Sequence, residues 1–210
     1  MNNQDQGAGN RAGNEGPAMN GLRVGHININ SALHKMDTIK FFLEHYGFDV
    51  FIVSEAKMVG KEQRLYRING YRKWYLNRDD NGYGPKGGGM LIYVSKEIYD
   101  DIVVDEDDNS REAYYHDTRK GVQCMWLRMR HNQATLYIVG VYIPPTRSGE
   151  GLKKFTRNQR VEELIKCLEQ FPKDDNVIIL GDTNFHYLKQ QVSGYPAARI
   201  QNLGYNQLID

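Results

Sequence analysis

In the segment VIILGDTNFH (177–186), four apolar residues run into Gly181 and then into Asp182, Asn184 and His186. Glu55 follows a second apolar run, DVFIVS (49–54), and Tyr142 ends a third, LYIVGVY (136–142). Asn28 and Asn30 stand at the end of a shorter run near the start of the chain. Carboxylates are hard oxygen donors, and Mg²⁺ is held by one or two of them together with waters and phosphate oxygens. Glu55 and Asp182, brought together with asparagine side chains, suit an open Mg²⁺ or Mn²⁺ site and phosphate-ester chemistry. Each residue also has a bland reading. Asp and Asn after a strand are common turn formers, a glutamate there is an ordinary surface carboxylate, and a tyrosine there is an ordinary core aromatic. Their coincidence at four strand ends favours the chemical reading, because ligands in layered α/β folds bind beyond strand ends. Glu55 and Asp182 are far apart in the chain, so the site is composite rather than one metal-binding loop.

The elements that must carry these residues alternate between strand and helix. Strands are predicted over Leu22–Asn28, Asp49–Ser54, Gly70–Leu76, Gly89–Ser95 and Val177–Leu180. A hairpin is predicted from Val122–Met129 and Ala134–Val141 around His131-Asn132-Gln133. Ile39, Phe42, Leu43 and Tyr46 recur at helical spacing within Asp37–Tyr46, as do Val161, Leu164, Ile165, Leu168 and Phe171 within Asn158–Phe171. A short helix is expected at Pro196–Leu203. The runs DVFIVS and NVIIL do not alternate, so both are expected to be covered on two faces, with helices outside sheets.

With 40% hydrophobic residues, the chain supports one domain with a sizeable core. The net charge of +1 gives no global field, so any polyanion site must be local. Cys124 and Cys167 are the only cysteines, too few for a disulfide framework, and they point to a reducing, intracellular setting. The longest apolar run, Leu136–Ile143, is far too short to span a bilayer, so no membrane partner is expected. No charged-then-apolar leader opens the chain. Residues 1–20, rich in Asn, Gln and Gly, are expected to be a disordered tail ahead of a domain over 21–210.

Taken in order, HININSAL (26–33), IVSEAK (52–57), KGGGMLIYV (86–94), VGVYIPP (139–145) and ILGDTNFH (179–186) resemble the endonuclease/exonuclease/phosphatase superfamily. The likeness is nearest to the apurinic-endonuclease-like domain of non-LTR retrotransposon polyproteins. The resemblance implies a four-layer α/β sandwich, two packed sheets with outer helices, and Mg²⁺- or Mn²⁺-dependent cleavage of DNA in a nuclear setting. It implies that Glu55 is the main metal carboxylate, with Asn30 and Asp182 near the metal. It implies that Asn28 positions metal or phosphate and that Tyr142 donates its hydroxyl to the scissile phosphate. Asp182 would orient or deprotonate the attacking water, Asn184 would bind phosphate, and His186 would support them. Pro145 stands where many relatives carry Asn, and Thr183 replaces a common Phe. Nothing after Asp182 matches the family's terminal Ser-Asp-His. The expectation is therefore a domain lacking its C-terminal strands, with little or no activity and an exposed strand edge, either a fragment of a reading frame that continues into a reverse transcriptase or a degenerate copy.

Arg147, Lys153, Lys154, Arg157 and Arg160, with Glu150 the one acid among them, follow Tyr142 and form a candidate phosphate-tracking patch. The bland alternative is a solvated loop and helix start. Arg72, Lys73 and Arg78, interleaved with Trp74 and Tyr75, are a weaker candidate. Gly82, Gly84 and Gly87 match a dinucleotide fingerprint, but a strand follows them where that motif needs a helix, so no nucleotide cofactor is expected. His26, His34, His45, His116 and His131 are scattered and read as ordinary surface or core residues. The acids Asp100, Asp101 and 105–108 read as a solvated loop. Two other functions stay open: a phosphatase acting on small phosphoesters or phospholipids, and a non-catalytic nucleic-acid-binding remnant.

Overall fold

The computed structural model describes residues 21–58, 64–77, 88–101, 114–119, 121–131, 134–145, 155–171 and 176–184. The expected tail over 1–20 and the short helix at Pro196–Leu203 lie outside the described residues.

Among the described residues eight strands form two four-stranded mixed sheets. The first sheet holds β1 (Val24–Asn28), β2 (Val50–Ser54), β3 (Tyr71–Leu76) and β4 (Met90–Ser95) in the order β1-β2-β4-β3. The second holds β5 (Tyr114–Arg119), β6 (Val122–His131), β7 (Ala134–Tyr142) and β8 (Asn176–Asp182) in that order. β1 and β2 run parallel, as do β7 and β8; the other pairs are antiparallel.

Alternation along each strand sorts its side chains into layers. Val50, Ile52, Met90, Ile92 and Val94 of the first sheet meet Met125, Leu127, Met129 and Ile138 of the second in an inner core. The odd-numbered neighbours in β2, Phe51 and Val53, turn outward under α1 (Met36–Tyr46), where Ile39 and Leu43 cover them. On the other side, Cys124, Val139 and Val141 turn outward under Leu164, Cys167 and Leu168 of α2 (Arg157–Leu168). The result is helix, sheet, sheet, helix: the four-layer α/β sandwich. The two sheets approach closely because β7 carries Gly140 at the contact. A Cβ there would lie 2.9 Å from Met90 Cε and 3.0 Å from Ile52 Cγ2.

Two expectations need correction. β8 is only half buried, with Ile178 38% exposed, rather than covered on both faces. Among the described residues it is an edge strand with a single neighbour, so one flank is open although Leu180 packs on the inner core and Ile179 on α2's side. β5 was not expected: YYHDTR shows no apolar alternation, and it joins the sheet through its backbone ladder with β6. Of the acids read as a loop, Asp100 and Asp101 lie in a 3₁₀ helix over Lys96–Asp101, and residues 105–108 lie outside the described ones. The glycines of the dinucleotide-like motif also lie outside them, and β4 rather than a helix follows. Among the described residues no helix is long and apolar enough to cross a membrane.

Candidate metal and phosphoester site

Parallel pairing brings the C-terminal ends of β1 and β2 together, with Asn28 opposite Ser54, and those of β7 and β8 together, with Tyr142 opposite Asp182. The inner-face side chains at these ends are polar where the rest of the layer is apolar. Asn28 joins the two sheets. Its Nδ2 donates to Glu55 Oε1 at 3.0 Å and to Asp182 Oδ2 at 2.7 Å. The two carboxylate oxygens are therefore no further apart than those two bonds laid end to end, although the residues are distant in sequence.

Each carboxylate is held a second time. Asp182 Oδ1 accepts the backbone N–H of Asn184 at 2.9 Å, closing an Asx turn. Asn184 Nδ2 donates in turn to the carbonyl of Ile143 at 2.9 Å, tying the turn to the chain just past Tyr142. Glu55 Oε2 lies 3.8 Å from Lys57 Nζ, which also donates to Asn30 Oδ1. Asn30 N donates to Asn28 Oδ1 at 3.2 Å. One network thus contains Asn28, Asn30, Glu55, Lys57, Asp182 and Asn184.

The backbone at these positions is costly. Asn30, Ser31, Glu55, Lys57 and Asn184 are the non-glycine residues with positive φ among the described ones, and all follow the ends of β1, β2 or β8. Asparagine tolerates this region, whereas Glu, Ser and Lys are held there at about 1 kcal/mol or more each. The turn after β2 is pinned from both sides. Ser31 N donates to Glu55 O at 2.7 Å, Ala56 N to Gly89 O at 2.9 Å, and Lys57 N to Gly88 O at 2.9 Å. Gly181 delivers Asp182 for a different reason: a Cβ there would meet Val141 O at 1.8 Å.

The remaining expected residues divide. Tyr142 lies beside Asp182 in the ladder, but its side chain is 2% exposed and belongs to the inner core. Arg157 opens α2 as its first residue and is half buried. Arg147, Lys153, Lys154 and His186 lie outside the described residues. Arg160, placed by its sequence in the basic patch, is 1% exposed; its Nη1 donates to Pro144 O at 2.6 Å. It fastens the first turn of α2 to the segment after Tyr142 and has no open surface for phosphate. Of the weaker patch, Arg72 stacks over Tyr99 at 3.5 Å and Lys73 lies over Tyr75 at 5.0 Å, on opposite faces of β3. Arg78 lies outside the described residues.

His26, Lys57 and Gln123 were not among the expected site residues, although His26 and Lys57 lie within the motifs HININSAL and IVSEAK. His26 Nε2 and Ser54 Oγ share a hydrogen bond of 3.0 Å on the inner face below Asn28. Burial lowers the His26 pKa from its ordinary value, and the Asp182 carboxylate partly opposes this. These residues act through partners distant in sequence, so spacing alone carried no signal for them. Among the described residues no three His, Cys, Asp or Glu gather as a metal cluster. Two carboxylates with asparagine oxygens are nevertheless the donor number and hardness that Mg²⁺ takes from protein.

Sequence comparison finds no matching family model and no matching curated protein. Structure comparison does find matches. Humanized TDP2 from D. rerio superposes with a TM-score of 0.54 at 15% identity, over 85% of this chain and 69% of that one. The catalytic domain of human Nocturnin with bound sulfate anion gives 0.53 at 13% identity, over 84% and 70%. An endonuclease/exonuclease/phosphatase family protein from Leptotrichia buccalis C-1013-b gives 0.53 at 10% identity, over 88% and 73%. The fold of this chain is the α/β sandwich of those proteins.

Proposed function

We propose that this chain is a divalent-metal-dependent phosphodiesterase domain that nicks DNA, of the type found in non-LTR retrotransposon polyproteins. The observation that carries the reading is the single Asn28 amide clasped between Glu55 and Asp182 where four strand ends meet. Glu55 and Asp182, with Asn30 at the margin, would hold Mg²⁺ or Mn²⁺. When bound, the ion supplies charge stabilisation for the phosphoryl transition state and for the leaving oxygen.

The chain's own groups supply the rest. Asp182 is fixed at both oxygens, so its carboxylate is oriented before substrate arrives and can align a water and accept its proton. Asn184 spends one amide hydrogen on Ile143 and offers the other to a phosphate oxygen. Lys57 adds a positive charge beside Glu55. Tyr142 is the candidate hydroxyl donor at the floor of the site, next to Asp182. Arg147, Lys153 and Lys154 would track the phosphate backbone, each contact steepening the loss of affinity with salt, whereas Arg157 has its Nε and Nη2 buried. DNA as substrate draws support from a related fold: a D. rerio TDP2 complexed with single strand DNA product matches at a TM-score of 0.52, 14% identity, over 86% of this chain and 63% of that one.

The test pairs binding with turnover. Mn²⁺ titration of the full chain should show one site, abolished in Glu55→Gln and Asp182→Asn. Plasmid should be nicked in Mg²⁺, not in EDTA, and not by either variant. Mn²⁺ binding unchanged in both variants would overturn the reading. Cleavage of inositol phosphates in preference to plasmid would move the substrate to small phosphoesters.

A further inference from the structure

We propose that Gln123 is a positioning residue that sets the Glu55 turn from the opposite sheet; this rests on the reading of Glu55 as a metal carboxylate. Gln123 lies near the start of β6, on the inner face with Met125, and is 1% exposed. Across the ladder it faces Tyr142, which faces Asp182, so the three form one row at the rim of the second sheet. Its Oε1 accepts the backbone N–H of Gly89 at 3.0 Å. Gly89 is in the first sheet's half of the fold, one residue before β4. The carbonyls of Gly88 and Gly89 receive the N–H groups of Lys57 and Ala56, the two residues after Glu55. A continuous path of hydrogen bonds therefore runs from the row containing Asp182 to the left-handed turn that presents Glu55.

A second observation separates this role from plain packing. Among the described residues, Gln123 Nε2 is buried without a hydrogen-bond partner. A buried donor left unmade is costly, and a methionine of similar length would fill the same apolar layer without that cost. Glutamine at this position is thus unfavourable as core and explicable as an acceptor for Gly89. Glycine at 88 and 89, each with φ near +80° (83° and 82°), leaves that segment pliable unless something fixes it. Gln123 is the fixing side chain.

The experiment measures amide exchange by NMR in the metal-free full chain, together with Mn²⁺ affinity. Gln123→Met should speed exchange of the Ala56, Lys57 and Gly89 amides about tenfold, the effect of losing one hydrogen bond. Exchange at Ile52 and Val53 within β2 should not change. Mn²⁺ affinity should fall several-fold, and the nicking lost at low Mg²⁺ should return as Mg²⁺ is raised. Gln123→Glu keeps an acceptor toward Gly89 and should retain slow exchange. If Gln123→Met does not fold, Gln123→Asn, which withdraws the oxygen by one methylene, is read by the same criteria. Unchanged exchange at Ala56 and Lys57, or a uniform rise that includes Ile52 and Val53, overturns the proposal. If the wild-type chain binds no Mn²⁺, the metal reading fails, and the exchange pattern still decides whether Gln123 sets the turn.

Discussion

Replacing Asn28 with aspartate keeps the side chain's shape and converts the donor between two carboxylates into a third carboxylate. Two hydrogen bonds to charged acceptors disappear, at 3.0 and 2.7 Å. Such bonds contribute about 1.5–3 kcal/mol each when desolvated, and about 1 kcal/mol each is a fair figure at this partly exposed rim. The new charge then faces two others across roughly hydrogen-bond distance, which costs about 1 kcal/mol per pair even at the dielectric of water. Outward rotation of the side chain relieves part of this, leaving a loss of about 3 kcal/mol. For a chain of this size that is a fall in Tm of roughly 6–12 °C. The assay is thermal unfolding of wild type and Asn28→Asp at pH 7.5, first in EDTA and then in Mn²⁺. The variant should lose most in EDTA and recover disproportionately with metal, because a divalent cation compensates three carboxylates better than two. Equal Tm values in EDTA would refute the claim that Asn28 holds Glu55 and Asp182 together. A deficit that Mn²⁺ does not reduce would refute the claim that the three share a cation site.

Other perturbations follow from single contacts. Gly181→Ala should cost about 3 kcal/mol or more and abolish Mn²⁺ binding, since the added carbon meets Val141 O at 1.8 Å and must push Asp182 away; urea unfolding and metal titration check both. Arg160→Met should destabilise by about 2–3 kcal/mol through loss of the bond to Pro144 O, with little change in the salt dependence of DNA binding, because the side chain is buried. His26 should make stability pH-dependent: with its folded pKa depressed by burial, its contribution is fully present above 6.5 and is lost as pH falls through the lower folded value. His26→Gln should flatten that part of the stability–pH curve in EDTA.

Strand positions were readable because burial leaves a pattern in residue types. DVFIVS became β2, buried at all five positions, and Ile39 and Leu43 became the contact of α1 with it. The polar residues at strand ends were readable for a related reason: Asn28, Glu55, Asp182 and Asn184 interrupt apolar runs abruptly, and the structure links them in one network. What stayed illegible depends on pairing between distant segments. YYHDTR has no apolar period, and only the ladder with β6 makes it a strand. Arg160 reads as one basic residue among several, and only the fold shows it turned inward onto Pro144. Gln123 reads as a polar residue in an otherwise apolar strand, and its partner Gly89 is in the other sheet.

The distribution of unfavourable local features argues that this rim is more than a convenient strand terminus. A turn selected only for stability has no reason to hold Glu55 and Lys57 at φ values of 51° and 53°, when glycine would remove the cost. Nor does stability favour two carboxylates sharing one amide, or a glutamine buried with a donor unmet among the described residues. Among the described residues the positive-φ non-glycine positions all follow the ends of β1, β2 and β8, while the layer beneath them is plain hydrocarbon from Ile52, Met90, Met125 and Ile138. Local rules of stability are broken together where function is being served. One variant tests that argument: Glu55→Gly removes strain and one charge but also the bond to Asn28, so these effects offset and stability in EDTA should change by less than about 1 kcal/mol, while Mn²⁺ binding should be lost completely. A loss of about 3 kcal/mol in EDTA would show that Glu55 holds the turn for structural reasons, and the link between strain and metal binding would fail.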